Sequence, residues 1–379
     1  MRIRNFINKF VVVSMLLAFI APFCSAQDEA KPTLYIGDKA PEFKYGSVAK
    51  GSAPANFKPG HLYLFEFWAT WCGPCIASMP HLSKFAKENQ KDVSVIAVNV
   101  WEDKTGKLTY DELQPKVKKF VGNMGKIMDF DVVTDTKDEH MGKNWLTAAG
   151  MNGIPCTFMV KDGVIQWIGH PVELDSIVRM ILDGKYDLKK AREAAIVKAN
   201  RVPSKDELIY KKASADSRLA VEKQEYAKAV GIIDSAVAVM GPNFASPLHF
   251  EKFMILLDHV GESEAMSFVK EWQKSKPGYK ASVGVVICRK PGLKPDTYQY
   301  AIESLQEMID NPQPGAMIYK EIATAYTNMG NFKMAVASQT KAIEIAKQNL
   351  KEGKYAGFIR EDLIKEYEAT LAEYQKQVK

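Results

Sequence analysis

Phe65-Glu66-Phe67-Trp68-Ala69-Thr70-Trp71-Cys72-Gly73-Pro74-Cys75 is the stretch on which the reading of this chain turns. It continues the apolar, aromatic-rich run 62–68, which predicts a strand of buried type. Beyond it, Ile76, Met79, Leu82, Phe85 and Ala86 recur at helical spacing and predict a helix over 76–88. The two cysteines therefore stand where a strand hands over to a helix. A helix N-terminus gathers free N–H groups and positive potential, so a thiol placed there loses its proton more readily, and the thiolate is the nucleophile. Cys72, outermost on the turn, is placed to attack a disulfide. Cys75, one helical turn later, is placed to attack the mixed disulfide and release the reduced product. Two intervening residues let the sulfurs reach bonding distance. The competing reading of a Cys-x-x-Cys pair is half of a zinc site, which needs two further ligands; no second such pair follows, and the six His are scattered. No metal is expected, and no cofactor beyond the dithiol.

Around this stretch, strand and helix signals alternate. Residues 93–100 read as a second buried strand, 111–121 as an amphipathic helix, 129–133 as a short strand and 139–149 as a helix. Residues 156–160 and 164–168 flank Asp162-Gly163, a hairpin turn signal. A helix over 174–182 follows, with Gly184 as its stop. Alternation that ends in a hairpin predicts a mixed α/β sheet.

These segments resemble a known family. The stretch 65–75 looks like the active-site segment of the thioredoxin superfamily. Gly37-Asp38-Lys39-Ala40-Pro41-Glu42-Phe43 resembles the lead-in of secreted TlpA/ResA-type thiol–disulfide oxidoreductases and their redoxin relatives. Gly153-Ile154-Pro155-Cys156-Thr157-Phe158-Met159-Val160 resembles the segment that carries the superfamily's cis-proline. The resemblance covers about residues 33–184, less than half the chain. It implies a thioredoxin-like fold, a cis bond before Pro155 and pairing of the exposed Ile154 backbone with a substrate chain. Trp71, Gly73, Pro74, Ile154 and Pro155 then form the substrate-binding surface. Glu66, six residues before Cys72, matches the buried acid of thioredoxins and would relay the proton of Cys75. The pleat alone leaves its face open, and an exposed edge-strand Glu is the alternative. Trp68 reads as core. Cys156 stands where Thr is commoner, either as a third thiol near the site or as a buried, inert one. Cys288 reads as a buried small residue, and a bond between the two has no positive support. His170-Pro171 reads as a turn. Ala69, three before Cys72, excludes the peroxiredoxin signature, which needs Thr or Ser there.

Length and charge bound the rest. The 379 residues argue for two or three domains at roughly 100–200 residues each. A net charge of +6 is small for this size and points to no nucleic-acid partner. Arg2, Arg4 and Lys9 precede a mostly apolar run over 10–21, and Cys24-Ser25-Ala26 supplies a small residue before a polar segment. This is the pattern of a secretory signal over 1–26, with an uncleaved anchor facing the periplasm as the alternative. Bulky Phe23 argues against a lipid-modified Cys24. Without 1–26 the chain has 48 basic and 45 acidic residues, net +3, and four Cys. That is too few for a disulfide scaffold in an exported protein and favours a redox pair.

From 185 onward strand signals nearly vanish, apart from an ambiguous 282–288, and long Ala/Lys/Glu-rich helices take over. Residues 27–184 carry 18 basic and 20 acidic side chains; residues 185–379 carry 30 and 25. Ile322-Ala323, Tyr326, Gly330, Phe332, Ala335 and Ala342-Ile343 fall at tetratricopeptide spacing, and Tyr226, Ala229, Ala236-Val237 and Pro242 repeat its second half. The expected architecture is an α/β thioredoxin-like domain over 27–184 followed by an all-α, tetratricopeptide-like domain over 185–379. The expected function is that of a periplasmic thiol–disulfide oxidoreductase, a reductase or isomerase rather than an oxidase. Its partners are a protein disulfide substrate, an upstream thiol electron donor and a protein partner on the helical domain, with a membrane only if the signal stays uncleaved. The alternative is an adaptor whose helical domain binds a partner and whose redox chemistry is secondary.

Overall fold

The computed structural model describes residues 31–54, 57–103, 107–275, 279–309 and 315–378. The predicted signal over 1–26 lies outside them. The N-terminal part runs β1 (Val48–Lys50), β2 (Leu62–Trp68), α1 (Gly73–Asn89), β3 (Val93–Asn99), α2 (Tyr110–Met124), β4 (Asp131–Thr134), β5 (Cys156–Lys161), β6 (Val164–Gly169) and α3 (Leu174–Leu182). The strands form one sheet of order β1-β4-β3-β2-β5-β6. β2, β3 and β4 are parallel neighbours, while β5 pairs antiparallel with β2 and β6, and β1 antiparallel with β4. This is a thioredoxin-like α/β domain.

β2 lies inside the sheet and every one of its residues is buried. Alternate residues point to opposite faces. Leu62, Leu64 and Trp68 pack with Met79, Leu82, Val117 and Val178 from α1, α2 and α3. Tyr63, Phe65 and Phe67 pack on the other face with Trp145 and Phe158. A sheet covered on both faces needs mainly apolar strands, which is why β2 and β3 read as apolar runs interrupted only by Glu66, Ser94 and Asn99.

The remainder is all-helical: α4 (Leu188–Ala199), α5 (Lys205–Glu222), α6 (Tyr226–Val237), α7 (Pro242–Ile255), α8 (Glu262–Ser275), α9 (Lys280–Arg289), α10 (Pro295–Gln306), α11 (Gly315–Asn328), α12 (Phe332–Lys351) and α13 (Glu361–Gln377). Capping boxes start α2 at Thr109 and α5 at Ser204. Three apolar clusters follow one another along the chain. Ala229, Ile233 and Leu248 join α5 to α7. Phe253, Ile287, Tyr298 and Ile322 join α7 to α11. Ala316, Ala342 and Tyr367 join α11 to α13. α4 leans on the α/β domain, where the Arg192 guanidinium donates to the Asp38 carboxylate (2.6 Å) and the Ile36 carbonyl (2.7 Å). Among the described residues, no helix is long and apolar enough to cross a membrane.

Three elements differ from expectation. The ambiguous 282–288 is helical within α9, where Gly284 lets α10 approach so closely that a Cβ would stand 3.1 Å from Leu305. Residues 139–149 form a π-helical turn over Gly142–Thr147, its entry pinned by the Asp135 carboxylate, which accepts the Met141 and Gly142 N–H groups at 2.8 Å. β1 had no sequence signal, being three residues long and partly exposed. Because β2 carries the core on both faces, Leu64→Ala is expected to cost about 2–5 kcal/mol in a urea titration. Leu208→Ala, on an exposed face of α5, should stay within about 0.5 kcal/mol.

Candidate active site

The chain leaves β2 at Trp68, whose carbonyl accepts the Val100 N–H at 2.9 Å, and turns into α1 at Cys72. Cys72 caps the helix, its Sγ accepting the Cys75 backbone N–H at 3.2 Å, and Pro74 occupies the first turn, where a missing N–H costs nothing. Cys72 and Cys75 are joined in a disulfide, their Cα atoms 5.3 Å apart. The Ile154–Pro155 peptide is cis, and the Ile154 carbonyl oxygen lies 3.6 Å from Cys72 Sγ. Trp71 reaches from the turn to donate its indole N–H to the Trp101 carbonyl at 2.9 Å. Cysteines, Trp71, Gly73, Pro74, Ile154 and Pro155 are thus gathered at one end of the sheet.

Cys72 is not the outermost residue of the turn. It is only 3 % exposed, and Pro74 is the exposed member. Cys72 belongs to the buried cluster that includes Cys75, Ile76 and Trp68, and the Ile154 carbonyl lies over its sulfur.

Glu66 sits on β2 between two strands, not on an edge, and is fully buried. By the pleat it shares a face with Leu64 and Trp68, the face that α1 and the disulfide cover. Its Oε2 accepts the Thr157 hydroxyl from the paired position on β5, and its Oε1 has no hydrogen-bonding partner among the described residues. Burial pushes the carboxyl up to about 8, against the smaller opposing pull of the Thr157 hydrogen bond. Cys156 is one register step away but points to the opposite face, into the cluster of Phe65, Phe67 and Phe158. Burial, with the Glu66 charge second, raises its thiol far above the usual range. Its place is therefore the buried, inert one. Cys288 is likewise free and buried, in the helical core.

Two supporting residues carried no motif. Thr157 holds the Glu66 carboxyl. Glu102 accepts the Thr70 N–H (3.0 Å), the Thr70 hydroxyl and the Asn99 amide (2.7 Å), which fixes the approach to Cys72. Glu102 lies just beyond β3, at the carboxyl ends of the parallel strands where α/β sheets bind ligands, and that position was the available signal. A cavity of about 260 Å³ opens there, lined by Trp101, Glu102, Tyr110 and Asp135 among others. His170 caps a short turn that begins at Pro171. Among the described residues, no group of His, Cys, Asp and Glu is arranged to hold a metal.

Residues 36–182 match the Redoxin family model. The chain is 29% identical over 160 residues to Protein FixW of Rhizobium leguminosarum, covering 41% of this chain and 69% of that protein. It is 27% identical over 168 residues to thiol-disulfide oxidoreductase ResA of Geobacillus thermodenitrificans, covering 44% and 87%. It is 30% identical over 157 residues to thiol:disulfide interchange protein HelX of Rhodobacter capsulatus, covering 40% and 78%.

The raised Glu66 carboxyl sets a pH dependence of stability. A folded-state pKa of about 8 against 4.5 unfolded means that the unfolded chain releases this proton first as pH rises. Stability is therefore lost between those values and level above them. The loss is about 3–5 kcal/mol if the shift is fully expressed. Glu66→Gln should remove that slope in urea titrations of the oxidised protein run across the window. Superimposable slopes for the two proteins would show that Glu66 does not hold a proton in the fold.

Proposed function

The chain belongs to the TlpA/ResA-type thiol–disulfide oxidoreductases of the thioredoxin superfamily, and on that footing we propose that it is exported and reduces or isomerises disulfides of periplasmic proteins. The observation that carries the reading is the Cys72–Cys75 disulfide at the N-terminus of α1, with the Cys75 N–H directed at Cys72 Sγ. The same N–H, together with the helix end, favours the Cys72 thiolate once the pair is reduced. That thiolate attacks one sulfur of a substrate disulfide. A Cys72–substrate bond forms, and the departing substrate thiolate takes up a proton. Cys75 then loses its proton and attacks Cys72 Sγ, which expels the second substrate thiolate. Two electrons pass to the substrate and the Cys72–Cys75 disulfide remains, to be reduced again by an upstream thiol donor.

Glu66 is the proposed acceptor of the Cys75 proton. It lies on the covered face with an unpartnered oxygen, and with a pKa of about 8 roughly a tenth of it is ionised at pH 7 and able to take the Cys75 proton. Ile154 is the proposed strand-like partner for the substrate backbone, with Trp71, Gly73, Pro74 and Pro155 flanking it. No further cofactor is needed. Export rests on the basic, apolar and small-residue pattern of residues 1–26. The α11–α12 pair, in which Ala323 and Ala335 are fully buried, supports a tetratricopeptide-like helical domain that holds a protein partner. A built and oxidised dithiol favours the enzyme over the adaptor.

Cys75→Ser should trap the substrate on Cys72 as a mixed disulfide, visible as a reducible adduct on non-reducing gels. Cys72→Ala should give no adduct and no reduction of insulin. An adduct that survives Cys72→Ala would move the nucleophile elsewhere. Glu66→Gln should slow insulin reduction near neutral pH by about tenfold or more, with the deficit shrinking as pH rises and Cys75 ionises unaided.

A further inference from the structure

The connection between α12 and α13 lies against the first turn of the redox helix. A Cβ on Gly357 would stand 2.3 Å from the Ile76 carbonyl oxygen and 3.4 Å from Ala77 Cα, so only glycine allows this approach. The Ile76 carbonyl is the one facing Pro80, which offers no N–H four residues on. Beside Gly357, the Phe358 ring reaches to 3.9 Å from where a Cβ on Gly73 would be, between the two active cysteines. The connection is braced on both sides. Ile359 is fully buried in the α11–α13 core. The Arg360 guanidinium lies 5.5 Å from the centre of the Phe120 ring on α2 and pairs with Asp362, whose carboxylate accepts the Asn123 amide at 3.3 Å. The turn closes on itself through the Phe358 and Ile359 N–H groups, both donating to the Tyr355 carbonyl at 2.8 Å.

These contacts put a residue from the far end of the chain at the dithiol. Cys72 is 3 % exposed and lies under the Ile154 carbonyl, and its neighbour Gly73 is the residue that the Phe358 ring approaches. A substrate sulfur must reach Cys72 while its own backbone lies along Ile154. A narrow, extended segment can do this beside a fixed aromatic ring, whereas a broad folded surface meets the ring and the connection first.

We infer that Phe358, delivered to the dithiol by the helical domain, is a specificity-determining residue that admits disulfides on extended or small substrates and excludes those on compact protein surfaces. The inference rests on the thiol–disulfide reading above, so its test includes a readout that does not depend on turnover. In the full-length Cys75→Ser background, Cys72 would be alkylated with iodoacetamide and with a polyethylene-glycol maleimide. In parallel, the chain with both cysteines would be assayed on glutathione disulfide and on insulin. If the covered arrangement is held about nine-tenths of the time, uncovering raises access for the large reagent about tenfold. Phe358→Ala, and Gly357→Leu as an undocking variant, should therefore raise the ratio of large-reagent to small-reagent alkylation about tenfold. The ratio of insulin to glutathione-disulfide reduction should rise with it. Alkylation ratios that stay within about twofold of the parent in both variants overturn the inference. A raised alkylation ratio in a protein that reduces neither disulfide supports the cover and fails the proposed function alone.

Discussion

β2 is closed in on all sides. It has a hydrogen-bonded neighbour on each edge and a layer of side chains on each face. Its residues are apolar but for Glu66, whose Oε1 has no partner among the described residues and whose ionised form would bear the full desolvation penalty of the position. Burying an ionised carboxylate costs far more than burying a neutral acid, so the site holds its proton to about pH 8. The same strand fixes where the chemistry occurs. Its last residue bonds to the start of the segment after β3, and within four residues the chain has become the N-terminus of α1. Strand, acid and dithiol are thus one construction. The enclosure that gives the strand its stability also raises the carboxyl's pKa, on the sheet face that α1 covers.

What could be read from the sequence follows from how local each signal is. β2 and β3 were legible because burial on both faces demands mainly apolar runs, and the hairpin was legible because Asp162-Gly163 takes positive φ at both positions. The α9 segment was not, since Val283, Val285, Val286 and Ile287 have strand-type side chains. It is helical because Gly284 permits the α10 contact, a tertiary gain that outweighs propensity. β1 is too short to show a period. The π-helical turn depends on Asp135 capping from the end of β4, which no local pattern reveals.

The site divides along the same line. The cysteines announce themselves by spacing and context. The face of Glu66 could not be decided from Phe65 and Phe67, because both sides of this sheet are apolar; only the positions of Leu64 and Trp68 against α1 decide it. Cys156 adjoins the cis-proline in sequence, yet the pleat sends it away from the disulfide. Adjacency along a strand is a poor guide to adjacency in a site, because successive residues face opposite ways. Thr157, its neighbour, is the one that reaches the acid.

The helical region touches the α/β domain near its beginning and again near its end, through Arg192 on α4 and through residues 357–362 after α12. The first of these contacts joins a partly exposed ion pair, of the kind worth less than about 1 kcal/mol, to the packing of Leu188, Ala191 and Ala195 against the α/β core, and the packing is the larger part. The second admits little slack, since Gly357 rests on the backbone of α1. Between the two anchors the clusters of α5 to α13 form a chain of packed layers, each setting the position of the next. Packed interiors transmit displacement because they have few voids in which to absorb it. The place of Phe358 beside Gly73 is therefore set by the α11–α13 layer that buries Ile359 together with the direct contacts of Gly357, Arg360 and Asp362 with α1 and α2. Gly357 and Ile359, on either side of Phe358, thus face different domains, one resting on the backbone of α1 and the other buried in the α11–α13 layer.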